Sequence, residues 1–169
     1  MDEVDRLVEA WARERPDLDV APLEVLSRVT RLAHHLDRAR RQAFAKHALD
    51  VWEFDVLAAL RRAGPPYVLS PGQLLSETLV TSGTMTNRID RLEVRGLARR
   101  LPHPQDGRGV QVQLTGRGKQ QVDEALADLL ARERMLLRRL SADQQEALSA
   151  LLRQLVAPFE MRQDTDIET

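Results

Sequence analysis

TSGTMTNRIDRLEVRGLARRL, residues 81–101, is the stretch on which the fold turns. Met85, Ile89 and Leu92 recur at i, i+4 and i+7, the apolar stripe of one amphipathic helix. At about 100° per residue, Thr84, Asn87, Arg88, Arg91 and Arg95 fall on the opposite side. That side offers short hydrogen-bonding side chains and cations over little apolar surface. Such chemistry suits a DNA groove, where arginine reaches phosphates and guanine edges while Asn and Thr reach other base edges. Thr81 or Ser82 supplies an N-terminal cap, and Gly96 stands where a left-handed residue ends the helix. With Thr86, these are the candidate DNA-contact residues of the stretch. A solvated surface helix carries the same pattern, so the flanking segments decide between the two.

Immediately upstream, Ser70-Pro71-Gly72-Gln73 opens a short helix ending near Leu79, with proline at its first turn. Two helices joined by so tight a turn outline a helix-turn-helix, whose second helix enters the major groove. Downstream of Gly96 the period changes. Leu97 to Leu101 reads as a short strand, PHPQDGRG (102–109) as a turn-rich tip, and Val110 to Leu114 as a strictly alternating strand. Together they form a β-hairpin wing, and Arg108 near its tip suits a narrow minor groove or a phosphate. A hairpin that merely covers the core is the plainer alternative.

Further out, Asp50 with Glu53 marks a helix start. That helix, WEFDVLAALRR, is apolar enough to predict burial on more than one side and stops at Ala63-Gly64-Pro65-Pro66. Residues 3–14 form a short helix with Val4, Leu7, Val8 and Trp11 on one face, and residues 23–47 a long one. A second long helix runs from Thr115 to about Arg139. Ser141 and Gln144 frame a capping box for a last helix to about Val156, and residues 160–169 fray. The helices at the two ends carry more apolar surface than a lobe of about 60 residues covers. Two chains covering each other would place two recognition helices about one DNA turn apart, on a near-palindromic site.

The totals agree with a single globular chain. Of 169 residues, 43% are hydrophobic and 30% charged, with no cysteine and hence no disulfide or thiol chemistry. The N-terminus, MDEVDRLVEAW, is acidic and lacks the apolar run of a signal peptide, and no stretch reaches the length of a membrane span. The expected location is therefore cytoplasmic. Net charge is −1, yet residues 61–119 carry ten Lys/Arg against four acids while both flanks are net acidic. A basic middle between acidic ends fits a DNA-binding lobe in a frame that does not touch DNA.

The order of elements and three phrases, FDVLAALRRAG, TSGTMTNRIDRLEVRGLARR and DGRGVQVQLTGRG, closely resemble the MarR family of dimeric winged-helix regulators, over about residues 23–157. The resemblance implies a mainly α, dimeric winged helix-turn-helix. Residues 1–48 and 116–160 would be dimerisation helices and residues 50–115 the DNA-binding lobe. The implied function is a transcriptional regulator, a repressor released from a near-palindromic operator by a small anion. The extra N-terminal helix with its tryptophan is similar to the family branch that responds to urate. By motif, that likeness assigns Trp11, Asp55, Arg88 and Arg100 to an effector site between the dimerisation helices and the lobe. The family's wing often carries two arginines where this chain reads Asp106-Gly107-Arg108, one arginine short.

Each effector residue also has a plainer reading. Trp11 on an apolar face is more often core packing, and Asp55 is a helix acid near a positive dipole end. Arg88, at the edge of the polar face, can reach inward to a ligand or outward to phosphate. His34, His35, His47 and His103 lie at no metal-ligand spacing, and no cofactor fingerprint or nucleophile–base constellation appears, so an enzyme is not expected. The other function classes are an architectural DNA-binding protein without effector and a winged helix used for protein contacts.

Overall fold

The computed structural model describes residues 1–78, 82–102 and 109–163. The elements are α1 (Glu3–Glu14), α2 (Ala21–Ala45), α3 (Val51–Arg62), β1 (Val68–Leu69), α4 (Pro71–Thr78), α5 (Ser82–Val94), β2 (Ala98–Pro102), β3 (Val110–Leu114), α6 (Gly116–Leu137) and α7 (Ala142–Gln163). The chain is mainly helical with one small antiparallel sheet, as expected. The sheet has three strands rather than two, in the order β1-β3-β2. β2 and β3 form the hairpin, with Ala98 opposite Leu114 and Pro102 opposite Val110. β1 adds only Val68 and Leu69, paired with Gln113 and Val112. Two residues after a Pro-Pro-Tyr turn give no alternation to detect, and their partners are more than forty positions away. α7 extends to Gln163, beyond the expected end at Val156.

The chain falls into two compact units, Met1–Leu129 and Leu130–Thr169. In the first, one core gathers Phe44 from α2, Val56, Leu57 and Leu60 from α3, Leu74 from α4, Met85, Ile89 and Leu92 from α5, and Val112 from β3. All are at most 1% exposed, and each such side chain contributes about 1.5–3 kcal/mol by leaving water. Phe44 stacks on Phe54 with ring centroids 4.0 Å apart. The expected burial of α3 on several sides holds, because six of its twelve residues are buried.

The junction after β3 is tight. Thr115 Oγ1 donates to the Gly96 carbonyl at 2.8 Å and accepts from the Gly118 amide at 3.0 Å, capping α6. Gly118 lets the first turn of α6 press against the chain just past α5. A Cβ there would lie 2.1 Å from the Leu97 carbonyl oxygen and 2.9 Å from Leu114 Cδ1.

α1 docks on α2 through buried Val4 and a cluster of ion pairs. Arg28 binds Asp2 at 2.9 Å and also Asp5, and Arg31 binds Glu3 at 2.6 Å. The hydrogen bond from Arg28 lowers the Asp2 carboxyl from 3.8 to about 2, and Arg31 lowers Glu3 likewise. Depressed folded-state values mean that this stabilisation is complete above the unfolded values and lost as pH falls through the folded ones. Acid titration from about pH 4 toward 2 is therefore expected to release α1. Amide exchange in residues 3–14, rising in that window before exchange in α3, is the measurement; simultaneous loss of both contradicts it.

Exposed apolar side chains remain on the single chain, where the sequence predicts dimerisation helices. In the first unit these include Val25, Leu26, Val29 and Leu32 of α2. In the second, α7 exposes Leu151, Leu155, Val156 and Phe159, the last 69% open. Among the described residues, no helix is long and apolar enough to cross a membrane.

Candidate nucleic-acid interface and adjoining cavity

The buried stripe of α5 fixes which of its residues face out. Met85, Ile89 and Leu92 are at most 1% exposed. Thr84, Thr86, Asn87 and Arg91 are exposed, and Arg88 lies between the two zones, half-buried. This is the division expected from the period of the sequence. Ser82 is the first residue of α5, while Thr81 and the wing residue Arg108 lie outside the described residues. The helix ends as its glycine foretells. Gly96 adopts φ +66°, its amide donates to Glu93 at 2.8 Å, and the Leu97 amide donates to Leu92 at 2.9 Å.

Arg95 has a partner that the sequence does not show. Helical projection places it with the DNA-facing residues, and it does line an outer hollow with Asn87 and Arg91, its amide still donating to the Arg91 carbonyl at 3.2 Å. Its guanidinium turns inward to the Glu53 carboxylate, which is 2% exposed, and donates to the Ala48 carbonyl at 2.6 Å. Glu53 also accepts from the Asp50 amide at 2.9 Å, completing the cap of α3. A buried carboxylate requires such a partner. Arg95 therefore ties the end of α5 to the start of α3 while its side chain stays 31% exposed beside Asn87 and Arg91.

The first turn of α3 supplies a residue that the sequence pattern assigns only to a buried face. Trp52 Nε1 donates to Asp50 Oδ2 at 3.3 Å, and two arginines of α5 lie over the indole. The Arg91 guanidinium carbon stands 4.7 Å from the ring centroid and that of Arg88 5.5 Å. Arg91 also approaches Asp50 Oδ2 at 3.8 Å. Guanidinium groups this close to an indole face are attracted by its quadrupole.

Trp52 and Arg88 border two concavities. On the outer side they meet Thr84, Asn87 and Arg91 around a hollow of about 480 Å³ along α5. On the other they join Arg41, Ala45, Leu49 and Asp55 around a cavity of about 580 Å³ between α2 and α3. The cavity combines two guanidinium groups, the carboxylates of Asp50 and Asp55, an indole and aliphatic walls. The two guanidinium groups can pair with an anionic group and the indole can stack on a flat apolar body.

The four residues assigned by resemblance are not all brought together. Asp55 and Arg88 line the cavity, and Asp55 binds Arg40 at 2.8 Å. Trp11 is 50% exposed on α1 and lines neither concavity. Arg100, on β2, binds Asp90 at 2.7 Å and also Glu93. Burial opposes its charge, but those two carboxylates outweigh burial and raise its pKa. Trp52 and Arg41 are the cavity residues that sequence reasoning misses. An indole next to a helix cap, followed 36 and 39 positions later by arginines of an amphipathic face, is the available signal, but only folding makes it a contact.

Comparison with known proteins follows the same lines. A MarR family model matches residues 49–109, from the start of α3 into the wing. The transcriptional regulator PecS of Dickeya dadantii is 40% identical over 150 residues, covering 89% of this chain and 90% of its own. Among solved structures, a MarR variant from E. coli complexed with operator DNA superposes with TM-score 0.66. It is 28% identical and covers 82% of this chain and 99% of that one. Bordetella bronchiseptica BpsR, whose DNA binding is regulated by 6-hydroxynicotinic acid, gives TM-score 0.65 at 26% identity, covering 78% and 91%.

Proposed function

Because the chain belongs to the MarR family of DNA-binding transcriptional regulators, we propose that it acts as a homodimeric repressor whose cavity between α2 and α3 admits a small anionic effector. The observation that carries this reading is the position of Arg88, which borders both that cavity and the exposed face of α5. Thr84, Thr86, Asn87 and Arg91 face the operator, with Thr81, Ser82 and Arg108 completing the contact. Uncovered apolar faces on α2 and α7 support the dimer, and two-fold symmetry favours a near-palindromic site. The operator-bound MarR variant and the 6-hydroxynicotinic acid response of BpsR support DNA and a small carboxylate as ligand classes. Asp55, Arg88, Arg41 and Trp52 form the effector site, and Trp11 and Arg100 join it only if effector or dimer formation rearranges α1 and β2. A dimer would be a cytoplasmic partner of duplex DNA with no membrane contact.

Binding is expected to weaken steeply with salt, the logarithm of affinity falling with a slope of roughly −0.9 per phosphate neutralised. The test titrates the upstream intergenic duplex at several salt concentrations, with and without urate or 6-hydroxynicotinate. Salt-dependent binding by a dimer, released by one of these anions in the wild type but less in Arg88→Ala, supports the proposal. Salt-dependent binding that no small anion of a broad screen releases favours an architectural role. Absence of duplex binding sinks both.

A further inference from the structure

Trp52 belongs to α3, outside the helix-turn-helix pair, yet its ring lies under the two arginines that α5 carries at its polar edge. An arginine on a solvated helix face samples many rotamers, and binding to phosphate must select among them at an entropic cost. Here three observations restrict that freedom. The indole lies within 4.7 Å of the Arg91 guanidinium carbon, Asp50 Oδ2 stands 3.8 Å from Arg91, and the same carboxylate accepts the indole N–H. Asp50 in turn is fixed at the start of α3 by the bond from its amide to Glu53. A chain of contacts therefore runs from buried Glu53 of α3 through Asp50 and Trp52 to two cations on the face proposed for DNA.

We propose that Trp52 is a positioning residue for DNA binding, an aromatic platform that presets Arg88 and Arg91 for contact with operator phosphates. The inference rests on the assignment of α5 to DNA and is independent of any effector. The platform suits phosphate, because a guanidinium held over a ring face keeps N–H donors available for an anion. Asp50 is too distant for a hydrogen bond to Arg91 and holds it only by charge, so a phosphate oxygen displaces it readily.

A double-mutant cycle on operator affinity, measured by anisotropy of a labelled duplex without any small ligand, tests the idea. Trp52→Leu is expected to weaken binding about three- to tenfold, the range of a cation–π pair or two. Its salt slope should stay that of the wild type, because no charge is removed. Arg91→Ala should lower the slope by about one ion per subunit. The affinity cost of Arg91→Ala should shrink severalfold in the Trp52→Leu background, and Trp52→Phe should restore most of the wild-type affinity. Equal costs of Arg91→Ala in both backgrounds would overturn the proposal, as would failure of phenylalanine to rescue a folded protein. If Trp52→Leu does not fold, the Trp11→Phe protein, whose one remaining tryptophan is Trp52, decides the matter. Its indole emission should change on adding operator, at the stoichiometry seen by anisotropy, and the change should vanish in Trp11→Phe/Arg91→Ala; an emission change that survives Arg91→Ala, or none at all, overturns it. If no duplex binds at all, the DNA assignment of α5 falls first, and the absent binding separates that failure from a failure of Trp52.

Discussion

Gly118→Ala is expected to destabilise the protein by about 3 kcal/mol, the upper part of the range for overpacking a close contact. The added methyl would meet the Leu97 carbonyl oxygen at 2.1 Å, and that oxygen is backbone, unable to rotate aside. Relief requires moving the first turn of α6 away from the start of β2. Such a shift also breaks the bond by which Thr115 Oγ1 holds the Gly96 carbonyl. For a chain of this size the loss corresponds to a fall in Tm of roughly 6–12 °C. Gly116→Ala is the internal control. It begins the same helix, has no atom within 4 Å of the added Cβ, and should leave Tm within about 2 °C of wild type. Equal melting of the two variants would refute the close approach.

Arg95→Ala should cost about 3–5 kcal/mol, the penalty for leaving a buried carboxylate without its cation. Glu53 is 2% exposed, and among the described residues the substitution leaves the Asp50 amide as the donor to its Oε2. Replacing Glu53 as well, in Glu53→Leu/Arg95→Ala, should recover a large part of the loss, because no charge then remains in the apolar surroundings. The measurement is urea unfolding of the single and double variants. A double variant as unstable as the sum of its parts would show that the pair is not the source. The same single variant separates a structural from a DNA-contacting arginine. Under conditions where it stays folded, its operator salt slope should match that of the wild type, whereas a lost phosphate contact lowers the slope by about one ion per subunit.

These two sites mark the boundary of what the sequence discloses. The stripe Met85–Ile89–Leu92, the terminating Gly96 and the alternation of Val110–Leu114 are local patterns, set by the period of a helix or strand, and each matches the fold. Projection onto a helix wheel gives a residue's face but not the reach of a long side chain. It sets Arg95 beside Asn87 and Arg91, as found, but gives no sign that the guanidinium also reaches Glu53 of α3. Gly118 looks like one of the two glycines in LTGRG; its need for closeness comes from a carbonyl twenty-one positions earlier. Trp52 and Glu53 sit together in an apolar run; the indole meets its arginines, and the Glu53 carboxylate its cation, only across the fold. Asp55 does lie near arginine, as its chemistry suggests, but its partner is Arg40 of α2 rather than a residue of α5.

The indole of Trp52 and the side chain of Arg88 border the cavity on one side and the α5 hollow on the other. Thermodynamic linkage gives this sharing a reciprocal consequence. If an anion in the cavity lowers operator affinity by some factor, bound operator must lower the anion's affinity by the same factor. The threshold concentration of effector would then be a property of each promoter and not of the protein alone. A strong operator would demand more anion for release than a weak one, so one repressor would switch its targets in sequence as the anion accumulates.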